Sequence, residues 1–189
     1  MSIRNLFTLS LALGLSFIVS CSSDDEAPPQ RALGGGVGAA CTENSQCTGY
    51  DHPACVNAIR PLETLVSDAD PKNKPFHDLT LPFPGGYCST TVQEPCTADA
   101  QCGTGKCFLA FEGVPQTTID NLNNLGLPFD VNEFSKIGIC LQECTADSQC
   151  RTGEGYKCLV PIEAFMNVIN PDYPKKFCVQ YVDVSNLLQ

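Results

Sequence analysis

The chain contains no tryptophan, two methionines, two histidines and no basic run. Eleven Lys and Arg face 21 Asp and Glu, for a formal net charge of -10. That balance excludes nucleic acid as a partner, because phosphates are held by clustered cations that displace counterions. It equally excludes polybasic docking on anionic lipid. Aromatic residues make up 8% of the 189 positions, so one large aromatic core is not expected. Acid–base or nucleophilic catalysis needs a convergent set around a base. His52 and His77 both read as exposed loop residues, and no catalytic residue is assigned. The glycines of residues 34–38 follow no strand pattern and make no phosphate loop. Cys-x-x-Cys does not occur, so a thioredoxin-like site is excluded. The expectation is a protein that is not an enzyme and carries no cofactor.

What the chain does have is 13 cysteines. That density belongs to an oxidising compartment rather than a cytosolic one. Twelve of them fall into three blocks, each opening on Cys-Thr-x-x-x-Gln-Cys. The blocks hold Cys41, Cys47, Cys55 and Cys88; Cys96, Cys102, Cys107 and Cys140; and Cys144, Cys150, Cys158 and Cys178. Such a repeat is read before any single residue.

The thirteenth cysteine, Cys21, stands apart. Arg4 supplies a positive start, and residues 6–19 form an apolar run too short to span a bilayer. The run ends in Ile18-Val19-Ser20-Cys21. This resembles the lipobox of bacterial lipoproteins, which implies cleavage before Cys21 and lipidation of its sulfur and amine. Ser22, rather than Asp, then leans towards the outer membrane. Several acyl chains, at about 0.8 kcal/mol per buried methylene, hold a protein on a membrane. Residues 1–20 are thus expected to be a signal peptide. Residues 21–40, polar and then Gly-rich, are expected to be a lipidated flexible tether that buries nothing.

Within a block, Thr42, Thr97 and Thr145 stand where an N-cap would serve a short helical turn. Asn44, Asp99 and Asp147 suit the positive end of that turn. One such oxygen donor per block is far short of a calcium site. The five-residue gap between first and second cysteine does not suit structural zinc, so no metal site is assigned. A glycine turn follows, and then the third and fourth cysteines begin and end short extended runs, read as strand pairs of two to four residues. Between them lie 32, 32 and 19 residues, each insert with an early proline (Pro61, Pro115, Pro161) and helical apolar spacing. The helices of blocks one and three are expected to stop before Pro71 and Pro171.

The pattern of cysteines, Asn or Asp, and a glycine turn resembles the N-terminal cysteine-rich region of Dickkopf-type proteins. It is also similar to the tandem cysteine-rich modules of deltaproteobacterial lipoproteins. The resemblance implies an extracytoplasmic, disulfide-held module, and no receptor activity is carried over. Four cysteines allow three pairings. The crossed one, first with third and second with fourth, ties the turn to both strands. It gives Cys41–Cys55 with Cys47–Cys88, Cys96–Cys107 with Cys102–Cys140, and Cys144–Cys158 with Cys150–Cys178.

The expected fold is therefore a small disulfide-rich α+β protein of three tandem cystine-stapled modules, residues 41–95, 96–143 and 144–189. Each has a short strand pair and a short helical insert, and losing one bridge is expected to unfold mostly its own module. The expected role is that of a lipid-anchored protein of the bacterial cell envelope, on the outer membrane, with a structural or adhesive function. Its partners are then the membrane, through the lipid, and a protein or cell-surface component. An alternative role is an inhibitor or small-ligand binder acting through the inserts.

Overall fold

A computed structural model of the chain describes residues 34–184. Cys21, the signal peptide and most of the tether lie outside the described residues. Each block contributes one antiparallel strand pair, built from the runs around its third and fourth cysteines. β1 (Ala54–Ile59) pairs with β2 (Leu81–Ser89), β3 (Lys106–Leu109) with β4 (Gly138–Leu141), and β5 (Lys157–Leu159) with β6 (Phe177–Val179). In all three pairs the third and fourth cysteines sit directly opposite one another: Cys55 with Cys88, Cys107 with Cys140, Cys158 with Cys178. They are nevertheless not bonded to each other. Cys41 bonds Cys55 and Cys47 bonds Cys88; Cys96 bonds Cys107 and Cys102 bonds Cys140; Cys144 bonds Cys158 and Cys150 bonds Cys178. Each block is thus a 3-10 turn clamped onto both strands of a hairpin.

The first pair is longer than the expected two to four residues. β2 runs for 9 residues, and its pairing with β1 shifts register between Val56 and Ala58, which absorbs Phe83, Pro84 and a Gly-Gly step. The inserts carry α1 (Lys74–His77), α2 (Gln116–Asn123), α3 (Val131–Phe134) and α4 (Glu163–Ile169). The helices after Pro115 and Pro161 form where the periodicity places them, and α4 ends before Pro171. In block one the expected helix after Pro61 closes only one turn, with the Val66 amide donating to Leu62 O at 3.0 Å. Leu62 and Val66 are still buried. Beyond them Ser67 Oγ and Asp70 Oδ1 accept the Ala69 and Lys72 amides, drawing the backbone out of helix. The helix appears after Pro71 instead, as α1. His77 lies in it, half-buried and 3.0 Å from Asp78, not in an exposed loop.

The repeat dictates where side chains go. The residues flanking each fourth cysteine, Tyr87 and Ser89, Ile139 and Leu141, Phe177 and Val179, are all buried. All but Ser89 meet in one apolar core that draws on all three blocks. Against expectation, aromatic rings run through it. Phe83, Tyr87 and Tyr156 gather with centroids 4.6–6.5 Å apart, and Phe108 meets Tyr173 at 5.5 Å and Phe177 at 5.7 Å. The cystines of block two pack into this core, while the cysteines of blocks one and three form small clusters of their own.

The blocks are consequently not independent modules. Blocks one and two are joined by buried Ser89 and Thr90. The Ser89 hydroxyl donates to Cys140 O at 2.7 Å, and the Cys140 amide donates to Thr90 Oγ1 at 3.0 Å. Blocks two and three meet where Asn170 Nδ2 donates to Glu112 O at 3.0 Å and Lys175 reaches Glu112 at 2.9 Å. Block three closes back on block one through Arg151. Its guanidinium lies 4.3 Å from the Tyr156 ring and 5.4 Å from that of Tyr87, pairs with Glu154 at 3.2 Å, and donates to Gly86 O at 2.8 Å. The Tyr156 hydroxyl donates to Pro84 O at 3.2 Å. Val182 and Val184 line a small cavity together with Leu79 and Thr80, so the last described residues also return to block one. The expectation that losing one bridge unfolds mostly its own block does not fit this shared core.

Arg151 offers a planar fork and a stacking face that lysine lacks. Arg151→Lys is expected to lower the stability of the whole body by about 1–2 kcal/mol while unfolding stays a single transition in urea. A second transition in the variant would show that block three folds apart from block one.

Candidate interaction surface between the inserts

The repeated turn is held differently from the cap expected of its threonines. In each copy the glutamine before the second cysteine accepts the hydrogen bonds. Gln46 Oε1 takes the Thr42 amide at 2.7 Å, Gln101 Oε1 the Thr97 amide at 2.7 Å, and Gln149 Oε1 the Thr145 amide at 2.6 Å. The threonine hydroxyls donate to the same oxygens at 3.3, 3.0 and 3.2 Å rather than capping an amide. Three residues after the first cysteine, Asn44, Asp99 and Asp147 act as latches. Their Oδ1 atoms accept the amides of Cys55 at 2.9 Å, Cys107 at 3.0 Å and Cys158 at 2.8 Å. A side-chain oxygen thus satisfies the amide that each third-cysteine strand turns away from its partner. The signal for this role was present in the sequence: an Asx side chain at one offset in all three copies. Neutral Asn44 and charged Asp99 share the role, which a helix-dipole reading does not explain.

Three of the cysteine sulfurs of each block gather within 4.8 Å of one another, as in Cys41, Cys47 and Cys88. Their closeness follows from two adjoining cystines, and a cystine sulfur is not a thiolate ligand.

Among the described residues a surface cleft lies between the inserts of blocks two and three. It is a cleft of about 600 Å³. Val114, Pro115 and Thr118, at the entry to α2, form one wall; Val168, Ile169 and Pro171, at the exit of α4, form the other. Val168 is 64% exposed at its lip, although it lies on an otherwise packed helix. Of the apolar residues at helical spacing, Ile162, Phe165, Met166 and Ile169, Met166 and Ile169 on α4 and Ile162 just before it are buried and Phe165 is half-buried, while Val168 falls on the opposite side. Neither histidine lines the cleft; His52 sits 3.4 Å from Glu94 in block one.

At Glu112, which lines the cleft, a charged cluster links the insert of block three to block two. Lys175, 17% exposed, lies between Glu112 at 2.9 Å and Asp99 at 3.5 Å, and Lys106 approaches Asp99 from its other side at 3.4 Å. The Tyr173 hydroxyl donates to Glu112 Oε2 at 3.4 Å. Partial burial works to raise the Asp99 pKa. The Cys107 amide and the charges of Lys175 and Lys106 outweigh it and leave the carboxyl below its ordinary value. Burial works to lower the Lys175 pKa, and its two carboxylates outweigh that and raise it. Burial and the neighbouring Glu112 carboxylate push the Tyr173 phenol up.

The sign of the pH effect follows. Asp99 has a depressed folded pKa, so its contribution is present above the ordinary value of 3.8 and is lost as pH falls through the folded one. Asparagine performs the latch in block one, so it can replace Asp99 without losing the latch. Asp99→Asn is expected to keep the Cys107 amide protected from hydrogen exchange while flattening the acid dependence of stability below about pH 4. Asp99→Ala should lose both, with a cost of about 1–3 kcal/mol for the unpaired amide. Equal exchange in the two variants would refute the latch.

No known family's sequence profile matches the chain, and no curated protein or solved structure is significantly similar to it.

Proposed function

We propose that the chain is a bacterial envelope lipoprotein, anchored in the outer membrane through lipid on Cys21. Its oxidised body would then serve as a structural or adhesive binding element without catalysis. The observation that carries this reading is the cysteine count. Twelve of 13 cysteines pair within the body, and the one left over is Cys21, which follows an apolar run in a lipobox-like context. An oxidising compartment accounts for the twelve, and lipidation accounts for the thirteenth. Among the described residues no helix is long and apolar enough to cross a membrane. The resemblance to cysteine-rich modules of deltaproteobacterial lipoproteins supports the same reading. The partner surface we favour is the cleft between the inserts, with Val168 at its lip.

The second reading, a small-ligand binder or inhibitor, draws on the same cleft, whose volume is within the range of small-molecule sites. Retention of a small apolar ligand by the soluble body, lost in Val168→Asp, would favour it over the structural role.

Cys21→Ser is expected to block processing or to release the protein from the membrane fraction. A variant that still fractionates with the outer membrane at the size of the mature form would overturn the anchor.

A further inference from the structure

Residues 34–40 do not hang free of the blocks, contrary to the expectation for a tether that buries nothing. The Gly35 amide donates to Gln46 O at 2.8 Å and Gly35 O accepts from the Thr48 amide at 2.9 Å. Further on, the Gly38 amide donates to Cys88 O and the Cys88 amide to Ala39 O, both at 2.9 Å. Part of this pattern recurs at the other first cysteines. In block three the Cys178 amide donates to Gln142 O at 2.9 Å, as the Cys88 amide does to Ala39 O. In block two the Cys140 amide goes instead to the Thr90 hydroxyl. The Cys96 and Cys144 amides donate to Gly138 O and Lys176 O, both at 3.0 Å. Blocks one and three thus each take a lead-in segment onto the fourth cysteine, block three from block two and block one from residues 34–40.

The seat is shaped for this segment. Val37 is 6% exposed, and a Cβ placed on Gly105 would come within 2.6 Å of its Cγ1 and 2.9 Å of Leu141 O. Glycine at 105 thus leaves the space that Val37 fills in block two. Gly38, at φ +90°, approaches Gln142, and Gly36 approaches the Thr104 hydroxyl. The composition that reads as flexible in sequence is what allows the backbone to lie this close to three neighbours.

We infer that residues 34–40 are a docked strap that joins the anchor to the junction of the blocks and shortens the leash between lipid and body. The leash part of this inference rests on the lipidation of Cys21 proposed above; the docking part does not. With the strap seated, only residues 22–33 separate the lipidated cysteine from the body, a fully extended limit of roughly 40 Å. With the strap released, residues 22–40 give a limit of roughly 65 Å.

Two measurements test this. In the soluble body beginning at residue 22, amide hydrogen exchange at Gly35, Gly38 and Thr48 is expected to be slowed at least a hundredfold relative to an unprotected chain. Exchange there at unprotected rates, with the Cys140 amide still protected, would overturn the docking. The second uses the lipidated full protein on a supported bilayer, with the gap between headgroups and body read by neutron reflectometry. A seven-residue Gly-Ser insertion between Leu33 and Gly34 lengthens the leash without touching the body, and Val37→Asp is expected to widen the gap as far as that insertion does. A Val37→Asp gap equal to the native one, beside a widened insertion gap, would sink the shortened leash. Absence of the native protein from the bilayer would count against the lipid anchor alone and leave the exchange result to decide the strap.

Discussion

Each block is stapled by two disulfides that cross, and everything else in the body depends on that crossing. A strand pair of three or four residues has too little hydrogen bonding and too little buried area to persist in water. The first cysteine bonds the third and the second bonds the fourth, so the turn between the first two is drawn across both strands. The Asx latch and the glutamine then satisfy the amides that this arrangement turns outwards. Each loop so closed restricts the unfolded chain, with a contribution of about 2–4 kcal/mol on the chain-entropy account.

The crossing also decides which residues are left to build a core. Because the sulfurs of a block occupy its turn side, the residues flanking the fourth cysteine point away from it and need other blocks to cover them. Tyr87, Ile139 and Phe177 are 0%, 3% and 0% exposed, a degree of burial that one block of this size does not provide alone. The polar contacts between blocks include the buried Ser89 and Thr90 and the less buried Arg151 and Lys175. Arg151 stacks on two tyrosines of different blocks, and Lys175 bridges carboxylates of block two. Lys175 and Glu112 link the inserts of blocks two and three at the side of the cleft that lies between them. The binding role proposed above would use that cleft.

Much of this was legible in the repeat. Strand pairs around the third and fourth cysteines follow from apolar runs bounded by glycine turns, and α4 follows from Ile162, Met166 and Ile169 at helical spacing. What could not be read came from tertiary context. The stretch after Pro61 carries the same apolar spacing, yet Ser67 and Asp70 compete for its backbone and leave a single turn. Residues 34–40 read as a linker because glycine marks both loose chain and close approach, and only the facing surface of Gly105 distinguishes the two. The unity of the three blocks was hidden for a related reason. A repeat announces its units, while the contacts between them are made by residues such as Ser89, Arg151 and Asn170 that have no counterpart in the other copies.

The central claim is that three cystine-stapled blocks share one core and open together. Native-state hydrogen exchange in rising denaturant, with all six disulfides intact, tests it most directly. The amides of Cys55, Cys107 and Cys158 donate within the body, one from each block's third-cysteine strand. They are expected to converge on one opening free energy and one denaturant dependence. Three separate isotherms, with one block exchanging well before the others, would contradict the account.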